Sequence, residues 1–379
     1  MKLCIISASI MKGDGQGRVN YEIVQRALQQ NFEVTLVVRQ IDTEIKKHKL
    51  VKSIQFPLEK VPIELIRGIL FAFLSDNWLQ KHRDEFDVVM SCGSVISSPT
   101  DVNVVHFVHG SWLNSPFHTY RMRKDLYGIY QWLYTAVNAQ TEKKAFKNTQ
   151  AVIAVSNKVK SELVSIGVPS DRIQVILNGV STEEFYPDVK ISRSELGLPL
   201  DVDLALFVGD IRTNRKNLDS VLKALSQLPH LHLAVVGNTT NSPYPQMAKN
   251  LNLEERVHFL GFRRDIAKIM RVTDFFVFPS RYEACTLVLL EAMASGLPII
   301  TAKTAGGAEL VSAECGFVLE DPEDIAALGK AMEALQGDRQ LREKMGLAAR
   351  YNAEQHTWLS KSSEYLNLFD SMAKGLVVK

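Results

Sequence analysis

The sequence predicts an α/β protein built from two doubly wound, Rossmann-like domains facing a central cleft, and three observations predict it. Short apolar runs ending in small or polar residues alternate with longer segments of helical period, the pattern of parallel sheets flanked by helices. The alternation pauses once, at "NGVSTEEFYPDVKISRSELGLPLD", which carries charges and two prolines but no sustained strand. At 379 residues the chain also exceeds what one hydrophobic core usually organises.

Before the pause the strand candidates are "KLCIISAS", "FEVTLVVR", "DVVMSCG", "VNVVHFVH", "AVIAVS" and "IQVILNG", with helical segments over 18–30 and 120–147. After it they are "LALFVGD", "LHLAVVGN", "VHFLGF", "DFFVFPS", "LPIITA" and "GFVLE". The expected domains are therefore 1–185 and 186–356. The tail after them is helical, with a break near His356 and Thr357. Ligands of such sheets bind beyond the carboxyl ends of the strands, so the loops leaving each run carry the functional weight.

Composition narrows the class. An apolar fraction of 46% with 23% charged residues is that of a globular chain. The formal net charge is +2, and residues 1–185 hold 22 Lys and Arg against 18 Asp and Glu, so nothing drives the chain generally toward nucleic acid. Cys4, Cys92, Cys285 and Cys315 lack the paired spacings of a zinc or redox motif and read as reduced thiols of a cytoplasmic protein. No run approaches the ~20 apolar residues needed to cross a bilayer, and "MKLCIISASIM" reads as a first buried strand. The apolar face of "IELIRGILFAFLSDNWLQKHR" and the mixed cations and aromatics of "HTYRMRKDLYGIYQWLY" fit either core helices with basic ends or peripheral contact with the cytoplasmic membrane face.

The first strand leads into "MKGDGQGRVN", where Gly13, Gly15 and Gly17 allow backbone amides to approach a phosphate or sugar. Arg18 stands where a dinucleotide-binding fingerprint needs its third glycine, and "VVRQ" lacks the acidic ribose ligand, which argues against NAD. His109 ends the run "VNVVHFVHG" at a strand's carboxyl end; His106, three residues earlier, has no such position. In "LFVGDIRTNRKNLDSVLKAL" the strand ends at Gly209 and a helix begins near Asn217, so Arg212, Arg215 and Lys216 lie on one exit loop, placed to clamp a diphosphate. In "SRYEACTLVLLEAMASG" the helix "CTLVLLEAMAS" follows the loop "RYEA" and stops at Gly296. Glu283 then precedes the helix, Glu291 lies about two turns inside it, and the amides of Cys285, Thr286 and Leu287 form an anion site. "TAKTAGGAELV" repeats the arrangement, with Gly306 and Gly307 ahead of Glu309; a close approach to a ligand and a plain turn are both consistent with it.

Together these pieces resemble the retaining glycosyltransferases of family four, which have the GT-B fold. "EACTLVLLEAMASGLPII" is similar to that family's Glu-seven-Glu signature, "VILNGVSTEEFYP" to its linker, and "GDRQLREKMGLAARYNAEQHTW" to its terminal helices. The resemblance implies that residues 357–379 cross back to the N-terminal domain. It implies that Glu291 holds the donor ribose, that Glu283 contacts the transferred sugar, and that Lys216 binds the diphosphate. It further implies that Gly15, Gly17, Gly209, Arg215 and the Cys285–Leu287 amides bind donor, and that His109 lies beside the donor sugar. Three departures stand out. Asp210 occupies the place of a common arginine, leaving Arg212 or Arg215 to provide that charge; Ala284 and Thr286 replace usual glycines; and the N-terminal loop lacks an adjacent glycine pair.

The function implied is transfer of a hexose-type sugar, with retained configuration, from a nucleotide-diphosphate donor to a hydroxyl of a glycan, lipid-linked or small-molecule acceptor. UDP is favoured over GDP because it is the family's commonest donor base. No cofactor or metal is expected, since cations and helix amides meet the diphosphate charge. A nucleotide-sugar epimerase and a non-catalytic sugar-nucleotide-binding protein remain alternatives.

Overall fold

The computed structural model describes residues 1–13, 15–188 and 191–376. The chain divides into two compact units, Met1–Gly179 together with the chain from Trp358 onward, and Val180–Thr357. The boundary falls at Gly179 and Val180, earlier than the expected 185, because Val180 already belongs to the second unit's backbone. Its N–H donates to the His356 carbonyl at 2.9 Å, and it bridges Thr357.

The first unit holds seven parallel strands: β1 (Lys2–Ile10), β2 (Glu33–Ile41), β3 (Val51–Gln55), β4 (Val88–Cys92), β5 (Thr100–Val105), β6 (Thr149–Ala154) and β7 (Ile173–Val175). Their order is β3-β2-β1-β4-β5-β6-β7. Strand β3 is absent from the sequence reading because it is an edge strand, only partly buried, and "VKSIQ" makes no apolar run. Central strands such as β4 are buried at every residue, as expected where helices cover both faces of a parallel sheet.

Helix starts depart from expectation in two places. The helix expected over 18–30 runs Gly15–Gln29, so Gly15 and Gly17 lie in its first turn and not in a loop before it. The helix expected over 120–147 is split into Thr119–Met122 and Leu126–Lys147, the second capped by Asp125, whose side chain accepts the Gly128 N–H. The last helix, Trp358–Ala373, packs against Gly15–Gln29 and buries Tyr365, Leu366, Leu368 and Phe369. Each of those side chains contributes about 1.5–3 kcal/mol on leaving water.

The second unit is a six-stranded parallel sheet of β8 (Asp203–Val208), β9 (Leu231–Val236), β10 (Val257–Gly261), β11 (Phe275–Phe278), β12 (Ile299–Ala302) and β13 (Gly316–Leu319), in the order β10-β9-β8-β11-β12-β13. Its centre is apolar throughout, from Leu204–Phe207 to Phe275–Phe278. In each sheet the order reverses beside the first strand, between β1 and β4 and between β8 and β11. Loops leaving those pairs diverge to opposite faces and leave a crevice, the position where doubly wound sheets bind ligands. Gly13, Gly15 and Gly17 follow β1, Gly209 to Lys216 follow β8 and Glu283 follows β11, whereas His109 follows β5 and Gly306, Gly307 and Glu309 follow β12.

Candidate functional site

In the second unit the loops after β8 and β11 meet at the switch point. Residues Asn214–Lys216 form a single 3-10 turn, and Asn217 takes the left-handed conformation (φ 65°) that starts the helix Leu218–Leu225. Buried Asn217 donates from Nδ2 to the carbonyls of Pro279 (2.9 Å) and Pro322 (2.7 Å), which ties the cationic turn to the β11 exit. The Arg281 N–H and the Ser280 hydroxyl both donate to the Arg215 carbonyl, each at 3.0 Å.

This bracing brings three charges together. Arg215 Nη1 donates to Glu283 Oε1 at 2.8 Å, and Lys216 Nζ donates to the same oxygen. The Lys216 and Glu283 side chains are only 13% and 12% exposed, so the pair is largely withdrawn from water. Burial lowers the Lys216 pKa, and Glu283 opposes that shift. Two cations on one carboxylate oxygen leave net positive charge at the end of the sheet, suited to a diphosphate.

Arg212 lies apart from this cluster. It makes a bidentate, largely exposed pair with Asp210 at 2.8 and 2.9 Å, and hydrogen bonding from Arg212 holds Asp210 below the usual carboxylate range. Of the two arginines offered for the charge missing at Asp210, Arg215 is the one that reaches Glu283. Gly209 sits within 3.5 Å, by the position a Cβ would take, of both Lys216 and Phe278.

The stretch after Glu283 corrects the expected anion site. Residues 283–286 stay outside the helix and pair with 304–306: Glu283 N–H to Thr304 O at 3.3 Å, Gly306 N–H to Glu283 O at 2.9 Å, and Thr286 N–H to Gly306 O at 3.2 Å. The Thr286 amide is therefore used within the fold, and the helix runs Leu287–Ala294 with Thr286 as its N-cap. Its first N–H groups, from Leu287 onward, have no acceptor within the helix. Glu291 is little more than one turn inside, not two, and is half-buried. Gly306 serves this pairing: a Cβ there would lie 1.6 Å from the Ala284 carbonyl oxygen, so its missing side chain admits backbone and not a ligand.

In the first unit His109 opens the short helix His109–Asn114, whereas β5 stops at Val105. The expectation that His109 ends a strand is overturned because residues 106–108 form a connecting turn. The imidazole lies between the rings of Phe107 (centroids 4.9 Å apart) and Tyr134 (5.8 Å). Its Nδ1 is buried without a hydrogen-bond partner among the described residues, and burial lowers the pKa to about 4. His109 and His106, whose pKa burial also lowers to about 4, line one cavity of about 220 Å³ with Arg39, Glu64, Tyr134 and Asn138. Gln16, from the first turn of Gly15–Gln29, reaches the same cavity.

Sequence reasoning missed two residues. Arg281 is nearly fully buried and makes bidentate contacts with Asp219 (2.8 and 2.7 Å) and Glu323 (2.6 and 3.1 Å) while donating to the Asn214 carbonyl at 2.6 Å. Burial opposes its charge, yet the hydrogen bonds to Asp219 and Glu323 carry its pKa above the usual guanidinium value. Glu142 is 1% exposed and accepts the N–H groups of His109 (2.9 Å) and Gly110 (2.7 Å). In sequence Arg281 resembles any cation at a strand exit, and Glu142, beside Lys143 and Lys144, any solvated helix charge. No spacing rule marks either. Among the described residues no cluster of three or more His, Cys, Asp or Glu is arranged to hold a metal ion.

Fold and site define a protein of two Rossmann-like domains, one of which brings Arg215 and Lys216 onto Glu283 at its switch point. Comparison narrows the class. Residues 13–184 match the family model described as Glycosyltransferase Family 4, and residues 188–352 match that described as Glycosyl transferases group 1. The chain belongs to the group 1 glycosyltransferases of GT-B fold.

Among its relatives, an uncharacterized glycosyltransferase of Methanocaldococcus jannaschii is 26% identical over 76% of this chain and 75% of its own length. The lipopolysaccharide glucosyltransferase WaaG of Escherichia coli K12 is 26% identical over 55% and 58%. The Escherichia coli UDP-Gal:alpha-D-GlcNAc-diphosphoundecaprenol alpha-1,3-galactosyltransferase is 29% identical over 63% and 61%. The chain thus spans less than two thirds of the latter two relatives. Among solved structures, sucrose-phosphate synthase of Thermosynechococcus elongatus superposes with a TM-score of 0.81 at 19% identity, covering 99% of this chain and all of that one. WaaG superposes with a TM-score of 0.76 at 21% identity, covering 97% and 99%. Anabaena HepE, solved with UDP-glucose, gives 0.72 at 19% identity, covering 98% and 100%.

Proposed function

We propose that this glycosyltransferase moves a hexose from a UDP-sugar to a hydroxyl of a lipid-linked glycan, with retention of configuration. The observation that carries the reading is the convergence of Arg215 and Lys216 on Glu283 at the switch point of the second sheet. The two cations receive the donor diphosphate, joined by the Leu287–Leu289 amides; Glu291 holds the ribose and Glu283 the transferred sugar. His109, neutral at pH 7 because of its burial, lies against the sugar as an uncharged hydrogen-bonding group. UDP is favoured over GDP by the galactosyltransferase relative, named for a UDP-sugar, and by HepE, whose structure holds UDP-glucose.

In the proposed step the acceptor oxygen attacks the anomeric carbon from the face the diphosphate leaves. The bond from that carbon to the phosphate oxygen breaks, its electron pair stays with the diphosphate beside Arg215 and Lys216, and the acceptor proton passes to the departing oxygen. The anomeric configuration is thereby kept. The cations act by stabilising charge that develops on the leaving group.

The lipid-linked acceptor is supported by apolar surface on the first unit. Helix Glu64–His82 leaves Ile66, Ile69, Leu70 and Phe73 exposed on one face, and helix Leu126–Lys147 leaves Leu126, Ile129, Trp132 and Leu133 exposed. A hydrogen bond from the Leu65 N–H to the Tyr130 hydroxyl at 3.4 Å links the start of the first helix to the second. Arg121, Arg123 and Lys124 precede the second helix and suit an anionic leaflet. The reading places the enzyme at the cytoplasmic membrane surface; no helix among the described residues is long and apolar enough to cross a membrane.

The donor reading is tested by thermal shift with UDP-, GDP- and ADP-sugars, because a ligand of the folded state raises its apparent melting temperature. Stabilisation by GDP or ADP sugars but not UDP sugars would reject UDP. An NMR assignment of an inverted anomeric product would reject retention. Failure to co-sediment with anionic liposomes at low salt would remove the membrane part.

A further inference from the structure

We infer that Glu142 is a positioning residue for sugar transfer, acting through His109; the inference rests on the role proposed for His109 above. Glu142 projects from helix Leu126–Lys147 and uses both carboxylate oxygens on consecutive backbone amides, Oε2 on His109 N–H at 2.9 Å and Oε1 on Gly110 N–H at 2.7 Å. Those are the first two amides of helix His109–Asn114, whose preceding residue, Val108, has no hydroxyl or carboxylate with which to cap it. The carboxylate replaces the missing cap from outside the segment. Two hydrogen bonds to adjacent residues fix orientation as well as place, since a rotation of the helix end lengthens one when it shortens the other.

The surroundings are built for this contact. A Cβ on Gly110 would lie 3.2 Å from Glu142 Oε1 and 3.1 Å from Ile166 Cγ2, so glycine lets the carboxylate close on the backbone. Burial raises the Glu142 pKa to about 7 in spite of the two amide donors, which means that keeping an acid here costs folding energy. A glutamine would also fill the space, but its amide nitrogen would face an N–H, and its one carbonyl oxygen could accept only one of the two bonds. The side chain so held is the one whose Nδ1 is buried at the cavity wall, beside Phe107 and Tyr134, with no hydrogen-bond partner among the described residues. Its direction is set by its backbone and those two rings. Helix Leu126–Lys147 carries both Glu142 and Tyr134, so one element anchors the His109 backbone and supplies one of the two rings against its imidazole.

The test is a double-mutant cycle on the full-length protein with UDP-glucose and UDP-galactose, water serving as the acceptor hydroxyl, reading UDP release, KM for donor, and melting temperature. Glu142→Gln is expected to lower kcat about 10- to 100-fold, the range for a misplaced reacting geometry, and to change donor KM by less than about threefold. In a His109→Ala background the same substitution should cost less than about twofold, because the residue it positions is gone. Glu142→Asp, which keeps both acceptor oxygens, should recover part of the loss. Full activity in Glu142→Gln, or an equal loss with and without His109, would overturn the inference and leave Glu142 a structural cap. Should Glu142→Gln fold poorly, Glu142→Asp in both backgrounds carries the same comparison. His109→Ala with native turnover would sink the role of His109 itself, whereas a native enzyme that releases no UDP would sink the donor reading.

Discussion

Arg215 and Glu283 lie 68 positions apart in sequence, yet Nη1 of one donates to Oε1 of the other at 2.8 Å. Lys216 donates to the same oxygen, so the residues proposed to hold the diphosphate are already organised by the residue proposed to hold the sugar. Preorganised charges of this kind need no rearrangement when charge develops on the leaving group, and that is where their catalytic value lies.

Replacing members of the cluster should separate binding from turnover. In Glu283→Ala the cations lose their internal partner and remain available to a diphosphate. UDP affinity by calorimetry is expected to hold or rise, while turnover falls at least about 100-fold. Lys216→Ala and Glu291→Ala are expected to lose UDP affinity instead. Equal, full activity in all three variants would dismantle the site.

Arg281 should prove to be a structural brace with a catalytic readout. Its nearly buried guanidinium joins Asp219, Glu323 and the Asn214 carbonyl. Arg281→Ala leaves Asp219 without its ion partner, though the Tyr244 hydroxyl still donates to it, and should cost about 3 kcal/mol, the lower end for breaking a buried ion pair. Arg281→Lys, lacking the planar fork, should recover charge but not geometry. Denaturant melts and UDP titration of both variants check this, and an unchanged melt for Arg281→Ala would refute it.

Gly306→Ala should be damaging for a reason internal to the fold. Its new Cβ, 1.6 Å from the Ala284 carbonyl oxygen, must push the stretch 283–286 away from 304–306. The expected loss is about 3 kcal/mol, the upper end of overpacking costs. It should come with weakened UDP binding in calorimetry, because the Leu287–Leu289 amides that follow this stretch move with it. A variant of native stability and affinity would show that the pairing yields.

Stability of the first unit should rise with pH between about 4.5 and 6.5 with a slope that Glu142→Gln steepens. His106 and His109 titrate near 4 when folded and near 6.5 when unfolded, so in this window the unfolded chain binds about two more protons at these sites. Glu142, with a folded pKa of about 7 against 4.5, works in the opposite sense, its folded form binding about one more. The net of about one proton becomes about two once Glu142 is removed. Urea melts at several pH values would measure the slopes, and a shallower slope in Glu142→Gln would contradict the assignment.

The last helix should be integral to the first unit. Phe369 is fully buried and Tyr365 nearly so. Phe369→Ala should cost about 3–5 kcal/mol by leaving a cavity against the neighbouring helix. A loss below 1 kcal/mol in a denaturant melt would mean that the helix docks weakly.

Much of the fold was legible before any coordinates. Buried parallel strands write near-continuous apolar runs, and β8 to β13 all appear as such in the sequence. Edge strand β3 does not, because "VKSIQ" is only half covered and needs little hydrophobicity. The exit loops and their cations were legible for the same reason, since a strand's end marks where a loop must start. Helix starts were less so: "CT" reads as helix locally, but pairing of 283–286 with residues 304–306 keeps it out of the helix, through hydrogen bonds made across 20 to 23 positions.

By itself, then, the sequence determined the class: two doubly wound sheets, the loops that carry chemistry, and the acids and cations on them, because periodicity and chain order are local properties. Tertiary structure decided the partners. It set Arg215 and not Arg212 against Glu283, spent the Thr286 amide on Gly306, turned His109 from a strand end into a helix start, and seated Glu142 and Arg281 behind the residues they hold. Those choices depend on which buried polar group must find a partner when distant segments close on one another, and no spacing along the chain records that.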